Sequence, residues 1–146
     1  MMGTSTQTVL VIEDNPQNLY LMQFLLAKHG FRVVSATDGR TALGLAEATP
    51  PDLILLDIQL PEMDGYTVAR RLRENPALAQ TPIIAVTSYA MPGDREKCLE
   101  AGATDYIEKP IDPETFVDEI RRHLPDMGEK QPQEDGTDEN VRSDRR

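Results

Sequence analysis

Hydrophobic positions along the chain fall into two alternating patterns. Val9-Leu10-Val11-Ile12 is a short unbroken apolar run, as in a strand covered on both faces. Asn15 and Pro16 then read as a helix cap and first turn. Leu19, Met22, Leu26 and His29 follow at spacings of three and four, and Gly30 ends that helix. Phe31–Ala36 predicts a second strand, and Thr41–Ala48 a short helix stopped by Pro50-Pro51. Leu53-Ile54-Leu55-Leu56 is another buried run, followed by a loop between Pro61 and Gly65. Tyr66–Arg73 predicts a helix with Val68 and Leu72 inward, and Pro82 opens a strand at Ile83-Ile84-Ala85-Val86. Pro92–Ala101 is a helix closed by Gly102, Asp105–Glu108 a last short strand, and Pro113–Leu124 a last helix with Phe116, Ile120 and Leu124 on one face. Five apolar strands alternating with five helices predict an α/β fold, a parallel sheet with helices on both faces.

Past the last helix the pattern disappears. Residues 125–146 carry seven acidic and four basic residues, with Met127 and Val141 the only apolar ones. Such a segment buries too little to offset its ordering entropy, which predicts a disordered acidic tail rather than a docking peptide. The expected division is a short extension at 1–7, one domain at 8–124 and the tail at 125–146.

In a sheet of this kind, ligands bind outside the carboxyl ends of the strands. Glu13 and Asp14 follow the first strand, Asp57 the third, Thr87 and Ser88 the fourth, and Lys109-Pro110 the fifth. Three carboxylates in one cleft repel one another unless a cation shares the site. Oxygen-only ligands with no neighbouring His or Cys select a hard cation such as Mg2+. Lys109 brings a second positive charge for a phosphoryl group, the Thr87 hydroxyl can donate to one, and a carboxylate can be the nucleophile that forms an aspartyl phosphate.

Composition narrows the field further. The chain has 146 residues, enough for one core without disulfide or metal support. Its net charge of −10 argues against nucleic acid and anionic membranes as partners. One cysteine and two histidines give no zinc-ligand spacing, and no apolar run is long enough for a membrane span. The N-terminal residues lack a basic stretch, so no signal peptide is expected and the cytoplasm is the expected compartment.

The runs Val11-Ile12-Glu13-Asp14-Asn15, Asp57-Ile58-Gln59-Leu60-Pro61-Glu62-Met63-Asp64-Gly65, Ala85-Val86-Thr87-Ser88 and Lys109-Pro110 resemble the receiver domain of two-component response regulators. The similarity spans about Thr8 to Leu124. It is strongest to stand-alone receivers of the CheY and DivK kind, the latter through Ala90-Met91-Pro92-Gly93-Asp94. The resemblance implies a doubly wound, flavodoxin-like (βα)5 sheet in the order 2-1-3-4-5. It implies that Asp57 accepts a phosphoryl group from a sensor histidine kinase or phosphotransfer protein. Glu13, Asp14, Asp57 and the Gln59 backbone carbonyl would hold Mg2+, and Thr87 and Lys109 would contact the phosphoryl oxygens. Tyr106 would move on activation, the bond before Pro110 would be cis, and a downstream effector protein would read the result from a monomer or weak dimer. Tyr89, two residues after Thr87, is bulky enough to shield the phosphate from water.

Singly, these residues are weak signals. Asp57 could form a turn, Glu13-Asp14-Asn15 could simply start a helix, Thr87 could be a cap and Lys109 a solvated lysine. Their joint placement at strand ends outweighs those readings. Tyr106, Cys98 and Met91 read more readily as packing, and Arg70, Arg71 and Arg73 as a solvated helix face. His29 and His123 suit helix C-termini and need no chemical role. A phosphatase with an Asp nucleophile typically places a second Asp two residues on, where this chain has Gln59, so a multiple-turnover enzyme is not expected. A nucleotide or flavin site lacks its glycine-rich phosphate loop.

Overall fold

A computed structural model describes residues 6–88 and 91–124. Both the N-terminal extension, apart from Thr6 and Gln7, and the 125–146 segment lie outside the described residues. The strands are β1 (Thr8–Ile12), β2 (Arg32–Ala36), β3 (Leu53–Asp57), β4 (Ile83–Thr87) and β5 (Asp105–Glu108). Between and after them run α1 (Pro16–Lys28), α2 (Gly39–Ala48), α3 (Gly65–Arg73), α4 (Asp94–Ala101) and α5 (Phe116–Arg121). All strand pairs are parallel and the order is β2-β1-β3-β4-β5, as the resemblance implies.

The unbroken apolar runs have a direct structural reason. Side chains alternate between sheet faces, and here both faces are covered. Val9 and Val11 of β1 join Leu53 and Leu55 of β3 beneath α1 and α5, where Met22, Leu26, Phe116 and Ile120 close the layer. Leu10 and Ile12 join Ile54 and Leu56 on the opposite face, beneath α2, α3 and α4, with Ala42, Val68 and Cys98. Every residue of β3 and β4 is buried. Register places Asp57 beside Val86 and Ala85 beside Tyr106.

Helix boundaries differ from the sequence reading where caps decide them. The Asn15 side chain accepts from the N–H groups of Gln17 and Asn18, with Pro16 at the first helical position, as expected. α2 starts at Gly39, two residues early, because Asp38 caps it through the Thr41 N–H at 2.8 Å. α3 starts at Gly65 because Asp64 caps it through Thr67 N–H at 2.9 Å. α5 is shorter than its apolar spacing suggests, although Phe116 and Ile120 do face the core. His29 caps the end of α1 and is exposed rather than inward. Among the described residues, no helix is long and apolar enough to cross a membrane.

The solvated face expected on α3 does not extend to Arg73. Arg70 and Arg71 are exposed, but Arg73 is a half-buried bracket. Its Nε donates to the Gly102 carbonyl at 2.9 Å, and its Nη1 donates to the carbonyls of Leu78 and Thr81, both at 2.7 Å. Its Nη2 reaches Thr104 Oγ1 at 3.3 Å. The guanidinium satisfies the end of α4 and the α3–β4 connection, a use of its fork that periodicity along α3 cannot reveal.

Candidate functional site

The ends of β1, β3 and β5 named by the sequence bring their side chains together, and β4 ends beside β3. Glu13 leaves β1 with a fully buried side chain, its N–H bonded to the Ala36 carbonyl at 3.0 Å. One Glu13 oxygen, Oε2, accepts from Asn15 N–H at 3.1 Å, so the carboxylate is tied into the α1 cap. The other, Oε1, lies 2.9 Å from Lys109 Nζ. The same ammonium stands 3.5 Å from Asp57 Oδ2 and is itself only 12% exposed. Asp57, 3% exposed at the end of β3, accepts from Gln59 N–H through Oδ1 at 2.9 Å. Asp14 is exposed beside them, and one oxygen from each of Glu13, Asp14 and Asp57 lies within 4.8 Å of the others.

This is a site with excess negative charge. Burial, and next the neighbouring Asp57 carboxyl, push the Glu13 carboxyl up from its ordinary 4.5 to about 7, against the Lys109 ammonium and the Asn15 N–H. Three carboxylates and one ammonium leave the charge unbalanced. Apart from the Lys109 ion pair, buried Glu13 Oε1 has no hydrogen-bond partner among the described residues. A hard divalent cation suits this donor set, which is all oxygen, clustered and partly open on the Asp14 side.

Thr87 ends β4 with a buried side chain, on the strand next to β3. Its carbonyl accepts from Lys109 N–H at 2.7 Å, which fixes the start of the lysine's own loop. The Lys109–Pro110 bond is cis, as the resemblance implies. Tyr106 lies on β5, half-buried against the α2–α3–α4 core rather than standing out in solvent. Tyr89 lies outside the described residues.

Two features of the β3–α3 loop escaped the sequence reading. Glu62 has φ of 66°, and Met63 N–H donates back to the Pro61 carbonyl at 2.7 Å, a tight three-residue turn. Gly65 N–H donates to the Ile58 carbonyl at 2.9 Å and so pulls the start of α3 onto the end of β3. The only sequence signal for either was the Pro61-to-Gly65 punctuation. His123, given no role, pairs with Asp105, Nε2 to Oδ2 at 3.1 Å, at the far end of β5 from the acidic cluster.

Residues 9–121 match the family described as response regulator receiver domain. The chain belongs to that family. Among curated receivers, it is 40% identical over 121 residues to the polar-differentiation response regulator DivK of Brucella ovis, covering 83% of this chain and 98% of that protein. Among solved receivers, the chemotaxis response regulator CheY4 of Vibrio cholerae superposes with a TM-score of 0.79 at 29% identity, covering 82% of this chain and 100% of that one. The receiver domain of a Pseudomonas aeruginosa sensor histidine kinase, solved with a magnesium ion coordinated in its active-site cleft, gives 0.75 at 39% identity. That match covers 81% of this chain and 97% of that one. The receiver fold thus accounts for the sheet order, the helices on both faces and the acidic cleft at the strand ends.

Proposed function

We propose that this receiver domain, residues 8–124, is a phosphorylation-driven switch in two-component signalling in the cytoplasm. Asp57 is the phosphoryl acceptor. The donor is a phosphohistidine on a sensor histidine kinase or a phosphotransfer protein. An Asp57 carboxylate oxygen forms the new P–O bond as the P–N bond breaks, and the imidazole nitrogen leaves with the electron pair. Glu13, Asp14, Asp57 and the Gln59 backbone carbonyl would hold Mg2+, which neutralises charge on the phosphoryl oxygens when bound. Lys109 and Thr87 contact those oxygens, Lys109 as a fixed cation and Thr87 as a hydroxyl donor. The chemistry is the domain's own phosphorylation and dephosphorylation, with no multiple-turnover substrate. The output is the altered surface around Tyr106, read by an effector protein.

One observation carries this reading: a nearly buried Asp57 shares Lys109 with Glu13 inside a cluster of three carboxylates. Incubation with acetyl phosphate and Mg2+, followed by intact mass, tests it. The parent protein gains one phosphoryl group, and Asp57→Asn gains none while keeping its fold by circular dichroism. Undiminished labelling of Asp57→Asn would overturn the assignment.

A further inference from the structure

Gly65 opens α3 directly against the peptide that carries Asp57. It is buried, and its φ lies outside the left-handed region, so its requirement for glycine is one of space. A Cβ there would stand 2.5 Å from Ile58 Cα, 2.7 Å from the Asp57 carbonyl oxygen and 2.9 Å from Ile58 Cδ1. On the opposite side, Ile58 N–H donates to the Val86 carbonyl of β4 at 3.1 Å. The 57–58 peptide is therefore clamped between β4 and the first residue of α3. We infer that Gly65 is a positioning residue for the acidic site: its missing side chain sets where the Asp57 carboxylate and the Gln59 peptide stand relative to Glu13, Asp14 and Lys109.

Ordinary contact for a Cβ begins near 3.4 Å, so a methyl group at Gly65 would drive the 57–58 backbone back by most of an ångström. Two of the three contacts are backbone, which cannot swing aside as a flexible side chain does. The site is sensitive to such a shift, because Asp57 and Lys109 are already at 3.5 Å and the carboxylate oxygens within 4.8 Å. Displacements near 1 Å commonly cost about 100-fold at a reacting centre. Gly39, at the start of α2, provides the matched comparison. A Cβ there would meet Val68 Cγ2 at 2.6 Å and Met63 Sδ at 3.2 Å, both side-chain atoms, and neither residue is one of the acidic cluster.

This inference rests on Glu13, Asp14 and Asp57 being cation ligands, and the test separates the two. Mg2+ is titrated into Gly65→Ala, Gly39→Ala and the parent, followed by amide NMR, with thermal melting in parallel. Both variants are expected to melt lower than the parent. Gly65→Ala should bind Mg2+ at least about tenfold more weakly and shift the metal-free Ile58 and Gln59 amides. Gly39→Ala should stay within about twofold of the parent. Equal Mg2+ affinity in Gly65→Ala and the parent, or equal weakening in both variants, overturns the positioning role. Failure of the parent to bind Mg2+ overturns the reading beneath it. Should Gly65→Ala not fold, Asp64→Ala is compared with Asp64→Asn. Both lose the charge, but only Asn keeps an acceptor for Thr67 N–H and so the start of α3. Weaker Mg2+ binding by the Ala variant supports the clamp, and equal binding refutes it.

Discussion

Glu13 is a carboxylate in surroundings that disfavour its charge, and that has a consequence for stability. Its folded pKa of about 7 lies above its ordinary 4.5, so between those values the folded protein holds a proton that the unfolded chain releases. The Glu13 contribution to the stability of the metal-free protein therefore falls as pH rises from about 4.5 to about 7 and levels off above. Asp38 works in the opposite sense and in another window. Hydrogen bonds from Thr41 hold it below its ordinary 3.8, so its contribution is lost only as pH falls through that region. Urea unfolding with EDTA at pH 5, 6, 7 and 8 should show the decline for the parent and a flatter profile for Glu13→Gln. An unchanged slope in Glu13→Gln would assign the effect elsewhere. Sequence showed Glu13 as a carboxylate after a strand, but not that it is buried. That depends on β2 and the α1 cap closing over it, through the Ala36 carbonyl and Asn15 N–H.

Among the elements, α4 and the α3–β4 connection are fixed by a residue outside both. Arg73 supplies charged donors to the carbonyls of Gly102, Leu78 and Thr81, and burial lowers its pKa below the ordinary arginine value. Arg73→Met keeps much of the stem but leaves three carbonyls without that donor. It should destabilise the domain by roughly 1.5–3 kcal/mol in urea unfolding, the range for hydrogen bonds to charged groups. Arg73→Lys should recover only part, since an ammonium cannot reproduce the planar fork. A loss under about 0.5 kcal/mol for Arg73→Met would show the bracket to be incidental. The helix starts tell a similar story: Asn15-Pro16 was legible because a cap and a proline stand together, whereas Asp38-Gly39 and Asp64-Gly65 read equally well as turns. A cap is distinguished from a turn by the residues that follow packing as a helix, which α2 and α3 do against the sheet and each other.

For the whole molecule, the proposed switch needs a connection from Asp57 to a surface that a partner can read. Thr87 ends the strand beside Asp57, and Tyr106 lies on the next strand, opposite Ala85. Movement of Thr87 towards a phosphoryl group would free space that Tyr106, now half-buried, could enter further. A modification shifts an equilibrium only through such a difference between states. Thr87→Ala should therefore still bind beryllofluoride with Mg2+ but lose the NMR shift changes around Tyr106. Changes as large as in the parent would break the proposed link. The sequence by itself determined the five strands, the five helices and their alternation, while the order of the strands within the sheet came with the family resemblance. Strands covered on both faces must be apolar throughout, and helices packed on one side must repeat every three to four residues, so each element is written locally. Given that order, Glu13, Asp14, Asp57, Thr87 and Lys109 had to fall at strand ends. Only the tertiary structure decided the contacts between distant segments: Lys109 shared by Glu13 and Asp57, the Arg73 bracket, and Gly65 against the Asp57 peptide. Those depend on how closely separate elements approach, and that distance is set by packing of the assembled core rather than by the residues next to each one in the chain.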